Sequence, residues 1–307
     1  MQDKNNILSR RDFINQMTAG TAMTLTLPAF LSASNNETKT LSAIDPVPLG
    51  KSGISVSRLG MGTGTHGGKI QRDMGQKEFT RLIRYGLDQG ITFIDTADNY
   101  DGMHEMLHKA LVGVDRAKIQ IQCKISPTKY DAPLKEIDRF RREVGTDYFD
   151  SLLIHCVRTG DWTEQFKHLQ DLLLTAKENG IVRACGVSMH GLAPLRATAK
   201  SSWGDIRQVR INHNGRHMDG LKGKWKEPGQ VQPVIEAMKK MHDDGKGIIG
   251  MKLIGNGDFT DAAVREKSIR FVMGLDCVDA VVIGFKSPAE IDEAMHNMNN
   301  ALKLREI

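Results

Sequence analysis

This chain is poor in cysteine, in aromatic residues and in long apolar runs. Its four cysteines, Cys123, Cys156, Cys185 and Cys277, contain no CxxC and no close metal-type spacing. They read as buried free thiols, not as a disulfide framework or a metal centre. Aromatics make up 6% of the 307 residues, and the net charge of +5 is spread without long basic runs. A nucleic-acid face needs basic and aromatic residues interleaved on one surface, so that partner class is excluded. No segment reaches the roughly 20 apolar residues that a membrane-spanning helix takes, which argues against stable membrane insertion. What is there is chain enough for one barrel of roughly 250 residues plus an appendage.

The appendage reads as an address. Ser9-Arg10-Arg11-Asp12-Phe13-Ile14 places a twin arginine between a serine and apolar residues. A modestly apolar stretch from Thr18 to Leu31 follows, then small residues at Ser32-Ala33-Ser34. That layout resembles a bacterial twin-arginine (Tat) export signal. The resemblance implies the Tat export machinery as a partner and a periplasmic destination, reached already folded. Residues 1–34 are therefore expected to be a signal, 35–46 a polar linker, and 47–307 the functional domain.

From about residue 45 the chain alternates. Pro48 to Val56 carries a Gly-Lys-Ser-Gly turn between apolar residues and predicts a small β-hairpin. Eight short apolar runs follow, near 57–62, 91–95, 119–124, 149–155, 182–187, 207–212, 247–252 and 279–284. Amphipathic stretches follow them near 76–89, 104–112, 133–144, 163–179, 192–200, 230–243, 260–275 and 288–302. Leu169, Leu172, Leu173 and Ala176 show the helical period in the fourth, and Gly90 and Gly180 stand where helices should stop. Strand and helix in strict alternation predict an α/β fold, a (β/α)8 TIM barrel with an N-terminal β-hairpin.

A parallel barrel carries its chemistry at the C-terminal ends of its strands. Asp95, Lys124 and His155 fall at three such ends, and Tyr100 in the loop after the first of them. By strand parity Lys124 leaves the face of Ile119, Ile121 and Cys123 and leans into the mouth. His155 points with Leu153 and Asp95 with Phe93, so the three converge. Singly, each residue has an ordinary use: a turn cap, a packing ring, a solvated charge, a hydrogen-bonded core histidine. Together they can move a proton. A tyrosine is a poor acid at neutral pH, and an adjacent ammonium is expected to lower its pKa. A carboxylate would hold that ammonium charged, and an imidazole would orient the carbonyl. The group delivered to carbon must then be a hydride, which no side chain supplies.

Over nearly all of residues 47–302 the sequence resembles the aldo/keto reductase family. The matching stretches are Leu49-Gly50-Lys51-Ser52-Gly53, Gly90 to Tyr100, Lys124, Asp150 to His155, Gly186-Val187-Ser188, Gln208-Val209 and Val282 to Ser287. The resemblance implies a catalytic tetrad of Asp95, Tyr100, Lys124 and His155, and NADPH-dependent, metal-free reduction of aldehydes and ketones or the reverse oxidation. It also implies cofactor contacts at Ser188 and Gln208 to the nicotinamide amide, at Met251 against its ring, and at Lys286 and Ser287 to phosphate. The chain departs from the family pattern at four of the cofactor positions, one of them Ala294, where the pattern has a later asparagine. Met189 stands where an asparagine donor is usual, with His190 next to it as a possible substitute. Met251 stands where a stacking tyrosine is common. Glu290 stands where NADP-preferring members commonly place an arginine. A carboxylate there would repel a 2′-phosphate and accept from a 2′-hydroxyl, so NADP or NAD is expected.

The substrate is less legible. Thr63 to Gly68, Asn214 to Asp219 and Trp225 lie in mouth loops. Arg216, His217 and Trp225 read equally as contacts to a polar substrate and as solvated loop residues. The function expected is nicotinamide-dependent hydride transfer to or from a small carbonyl or alcohol, with Tyr100 as general acid and base. The alternative is an exported sensor or binding subunit built on a weakly active barrel.

Overall fold

The structure, a computed structural model, describes residues 40–127, 133–221, 224 and 227–305. The proposed signal, residues 35–39 of the linker and Trp225 lie outside these residues. Two short strands open the described chain, β1 (Pro46–Pro48) and β2 (Ser55–Ser57), paired antiparallel. Eight more form a closed, all-parallel barrel: β3 (Leu59–Gly62), β4 (Phe93–Asp95), β5 (Gln120–Ile125), β6 (Phe149–Val157), β7 (Val182–Met189), β8 (Ile206–Arg210), β9 (Gly247–Met251) and β10 (Ala280–Ile283). Closure is made by β10 pairing with β3. The expected hairpin and (β/α)8 barrel are both present.

Each barrel strand is followed by helix. The principal ones are α1 (Lys69–Asp73), α2 (Gly75–Asp88), α3 (Met103–Leu111), α4 (Pro133–Val144), α5 (Trp162–Gln165), α6 (Lys167–Glu178), α7 (Leu192–Thr198), α8 (Val231–Asp243), α9 (Ala262–Met273) and α10 (Pro288–Lys303). The single helix expected over 163–179 is in fact α5 and α6, broken where Phe166 leaves helical geometry at φ −110°, ψ 28°. Gly90 and Gly180 follow α2 and α6 at φ 91° and 71°. That left-handed conformation carries little penalty in glycine, which is why both helices stop there.

Strand alternation divides the core in two. Ile119, Ile121, Cys123 and Ile125 point outward and join the layer between barrel and helices. Phe93, Leu153, Ala184, Ile206, Ile249 and Ala280 point inward and fill the barrel. Val47, Leu49 and Val56 of the hairpin pack on this inner cluster. The hairpin therefore plugs the N-terminal end, and Lys51 N–H donates to Gly245 O at 2.8 Å to fasten it. The opposite end stays open.

Inside so narrow a barrel the backbones crowd. A Cβ added at Gly186 of β7 would lie 2.1 Å from the carbonyl oxygen of Ile206 on β8. No rotamer relieves a clash with backbone. Gly186→Ala should therefore cost about 1–3 kcal/mol, read as a lower denaturant midpoint with an unchanged slope. A wild-type midpoint would show that β7 and β8 can separate freely.

Candidate active site

The open end holds a cavity of about 850 Å³ lined by Asp95, Tyr100, Lys124 and His155 together. Strand geometry accounts for the convergence. Asp95 ends β4 and pairs in register with Gln122 of β5, two residues before Lys124. Lys124 Nζ lies 2.6 Å from Asp95 Oδ1 and donates to Thr96 O at 2.8 Å. Gln122 Nε2 donates to the same carboxylate oxygen at 2.7 Å. Burial lowers the pKa of Lys124, but the neighbouring groups, Asp95 first among them, oppose it and the net direction is upward.

Tyr100 is held from three sides. Lys124 Nζ lies 5.4 Å from its ring centroid, and His155 meets its ring edge-on at 5.6 Å. The third side is Gly64, in the loop after β3. A Cβ there would lie 2.4 Å from the Tyr100 hydroxyl, so the close approach requires glycine. The expected fall in the phenol's pKa does not occur. Burial raises it, Lys124 opposes this, and the net direction is upward. Tyr100 therefore stays protonated at neutral pH.

His155 is neutral, because burial lowers its pKa more than the nearby Asp98 raises it. Asp98 Oδ1 stands 4.0 Å from His155 Nδ1, beyond hydrogen-bond reach, and is itself held by Ser126 N at 3.0 Å and Ser126 Oγ at 2.9 Å. Asp98 and Ser126 did not stand out in the sequence. Asp98 lies only three residues beyond Asp95, in the same loop as Tyr100, and that loop position was the available signal.

β6 carries one residue more than β7 between Ile154 and Val157, which makes a bulge. Cys156 sits in it at φ 55°. Such bulges re-aim side chains beside active sites. Across the gap His190 accepts from Arg210 Nη2 at 3.1 Å through Nε2. A guanidinium cannot accept, so the imidazole proton sits on Nδ1. It faces Asp219 Oδ2 and Cys156 Sγ, each at 3.2 Å. Both nitrogens of His190 are thus engaged, which removes it as the substitute amide donor. His190 does line the cavity, whereas Met189 does not and is buried in the outer core. Burial pushes the Cys156 thiol up to about 11, so it is not a thiolate.

Ser188, Gln208, Met251, Lys286 and Glu290 line the cavity as expected; Ser287 does not. Its hydroxyl accepts from Glu290 N at 3.3 Å and caps α10. Glu290 Oε2 accepts in turn from Lys286 N at 2.9 Å, and its other oxygen lies 3.7 Å from Lys286 Nζ. The carboxylate is committed to the helix start and to a lysine, which weakens the expected repulsion of a 2′-phosphate. Ser-Pro-Ala-Glu at 287–290 is a capping signature, and it was readable in the sequence. Arg265 also lines this end, paired through two bonds to Glu293 at 2.6 and 2.8 Å. Ser188 Oγ and both amide atoms of Gln208 are buried with no hydrogen-bond partner among the described residues. Unpaired buried polar atoms are costly, and these suit a ligand carboxamide, which presents a donor and an acceptor at once. Of the loop residues, His217 lines the cavity. Arg216 is not a lining residue, but its Nε donates at 2.7 Å to Asp258, which is one.

The Asp95–Lys124 pair is almost fully buried at this mouth. Asp95→Asn should cost about 3–5 kcal/mol of stability, because it leaves an ammonium buried without a counter-charge. Lys124 is raised in the fold, so the pair's contribution is complete below the unfolded lysine pKa of about 10.4 and is lost as pH rises through the higher folded value. The deficit of the variant in denaturation should therefore persist from neutral pH to about pH 10 and shrink beyond. A deficit independent of pH would contradict the charge balance.

The sequence matches the model of the aldo/keto reductase family over residues 58–272. A probable aldo-keto reductase of Glycine max is 37% identical over 101 residues, 32% of this chain and 29% of that protein. The chain therefore matches under a third of that relative's length. A putative aldo-keto reductase structure from Pseudomona aeruginosa superposes with a TM-score of 0.68 at 22% identity, over 85% of this chain and 97% of the other. An aldo/keto reductase from Klebsiella pneumoniae, in complex with NADP and acetate, gives 0.60 at 18% identity, over 84% and 90%. At such identities the structures speak for the fold. With the family model covering well over half of its length, the chain belongs to the aldo/keto reductase family.

Proposed function

We propose that this protein transfers hydride between a nicotinamide cofactor and a small carbonyl or alcohol, with Tyr100 as general acid and base. The observation that carries the reading is the single cavity holding Tyr100, the Lys124–Asp95 pair and His155 together. NADP(H) is the cofactor proposed, as in the Klebsiella pneumoniae relative. Bound there, it supplies the hydride. The unpaired Ser188 hydroxyl and Gln208 amide would hold its carboxamide, and Met251 would lie against its ring.

The remaining work belongs to the side chains. In reduction the carbonyl carbon gains the hydride and the oxygen gains the Tyr100 proton, leaving a phenolate. The raised pKa of Tyr100 keeps the phenol form populated beforehand. Lys124, held charged by Asp95, stabilises the phenolate once formed, and solvent returns the proton. Neutral His155 packs edge-on against the phenol and borders the place where the carbonyl oxygen must sit.

Tyr100→Phe should lower kcat for aldehyde reduction about 10²–10⁴-fold while leaving the Kd for NADPH within a few-fold. Equal kcat in the variant would remove Tyr100 from the mechanism. NADPH binding without tyrosine-dependent turnover of any aldehyde would favour a binding subunit instead.

We further propose that residues 1–34 direct export of the folded protein to the periplasm. Free nicotinamide cofactor is scarce there, so the protein would travel with its cofactor inside. Replacing Arg10 and Arg11 by lysine should retain the full chain in the cytoplasmic fraction. Equal periplasmic yield from both forms would contradict the proposal.

A further inference from the structure

The charges around the mouth do not balance. Lys124 is matched by Asp95. Arg210 is matched by Asp219, and it also donates to His217 O at 3.0 Å. Lys252, just past the end of β9, lines the same cavity and has no carboxylate paired with it among the described residues. Its Nζ donates to the neutral Asn256 Oδ1 at 2.7 Å.

The backbone there is held in place as well. Lys252 adopts φ 67°, a left-handed conformation that side-chain-bearing residues avoid. Asn212 Nδ2 donates to its carbonyl at 3.1 Å and fixes the turn. Strain of this kind in a residue lining a binding cavity points toward function. The charges acting on the ammonium are Arg210, Asp219, Lys124 and Asp95, which lie around Tyr100 and His155.

Resting on the reductase reading above, we propose that Lys252 is a specificity residue that binds the carboxylate of an acidic carbonyl substrate, an oxo acid or an aldehyde acid. The substrate's charge would complete the balance at the mouth while its carbonyl reaches Tyr100. Burial, then Arg210 and Lys124, push the free ammonium down to about 7 against the opposing pull of Asp219 and Asp95. An arriving carboxylate reverses that shift, so the site favours an anion over a neutral ligand. Arg210 and Lys124 face the same ligand but carry their own carboxylates.

The test is a matched pair, benzaldehyde and 4-carboxybenzaldehyde, with the full chain, Lys252→Met and Lys252→Arg. In Lys252→Met the KM for the acid should rise about tenfold more than the KM for benzaldehyde, and Lys252→Arg should recover most of it. Equal shifts for both substrates would overturn the proposal. So would a loss confined to the Kd for NADPH, which would assign Lys252 to the cofactor's diphosphate. Calorimetry of benzoate against benzamide on the NADPH-loaded protein separates this idea from the reductase reading. Tighter benzoate binding that is lost in Lys252→Met, and that fades as pH rises above about 7, supports the carboxylate site even where turnover is absent. Equal binding of benzoate and benzamide overturns it even where turnover is present.

Discussion

A buried ammonium and a buried carboxylate meet at 2.6 Å where β5 and β4 end, and the rest of the site is arranged around them. Burial penalises the ammonium, and the carboxylate beside it opposes that penalty. Gln122 and the Thr96 carbonyl satisfy further hydrogen-bonding capacity of the pair. The result is a fixed positive charge beneath Tyr100 that does not depend on solvent. It leaves the phenol protonated in the resting site, because burial raises the tyrosine further than Lys124 lowers it. A proton donor before reaction and a stabilised phenolate after it are what carbonyl reduction asks of one side chain.

Strain is concentrated around this pair. Six non-glycine residues among those described have positive φ: His66, Cys156, His217, Asp219, Lys252 and Asn256. All six lie at or beyond the C-terminal ends of barrel strands, and five of them line the cavity. The opposite end is plugged by the apolar hairpin. The barrel thus separates its labour by end, with packing below and strained, polar loops above.

Much of this was legible along the chain because it is local. Alternation of Ile121, Cys123 and Lys124 fixes which side chains face the mouth, and a period of two needs no knowledge of the partner strand. Gly90 and Gly180 mark helix ends for equally local reasons. The failures are contacts between distant segments. Nothing adjacent to Gly64 reveals that Tyr100 will lie against it. The extra residue in β6 appears only beside β7, and the engagement of His190 needs Arg210 and Asp219, which arrive later in the chain. Glu290 was a different case. Ser287 and Pro288 before it announce a helix start, and its carboxylate folds back onto that start, which a reading of its charge alone does not reveal.

The central claim is that this mouth delivers a hydride to carbon and a tyrosine proton to oxygen. Its most direct test uses NADPH deuterated at the transferable C4 position, with the wild-type protein and a panel of small aldehydes. The account predicts one deuterium on the carbinol carbon of the product and none at the hydroxyl, with transfer from one face of the ring only. Product alcohol lacking deuterium at carbon, or no alcohol at all from any aldehyde that binds, would contradict it.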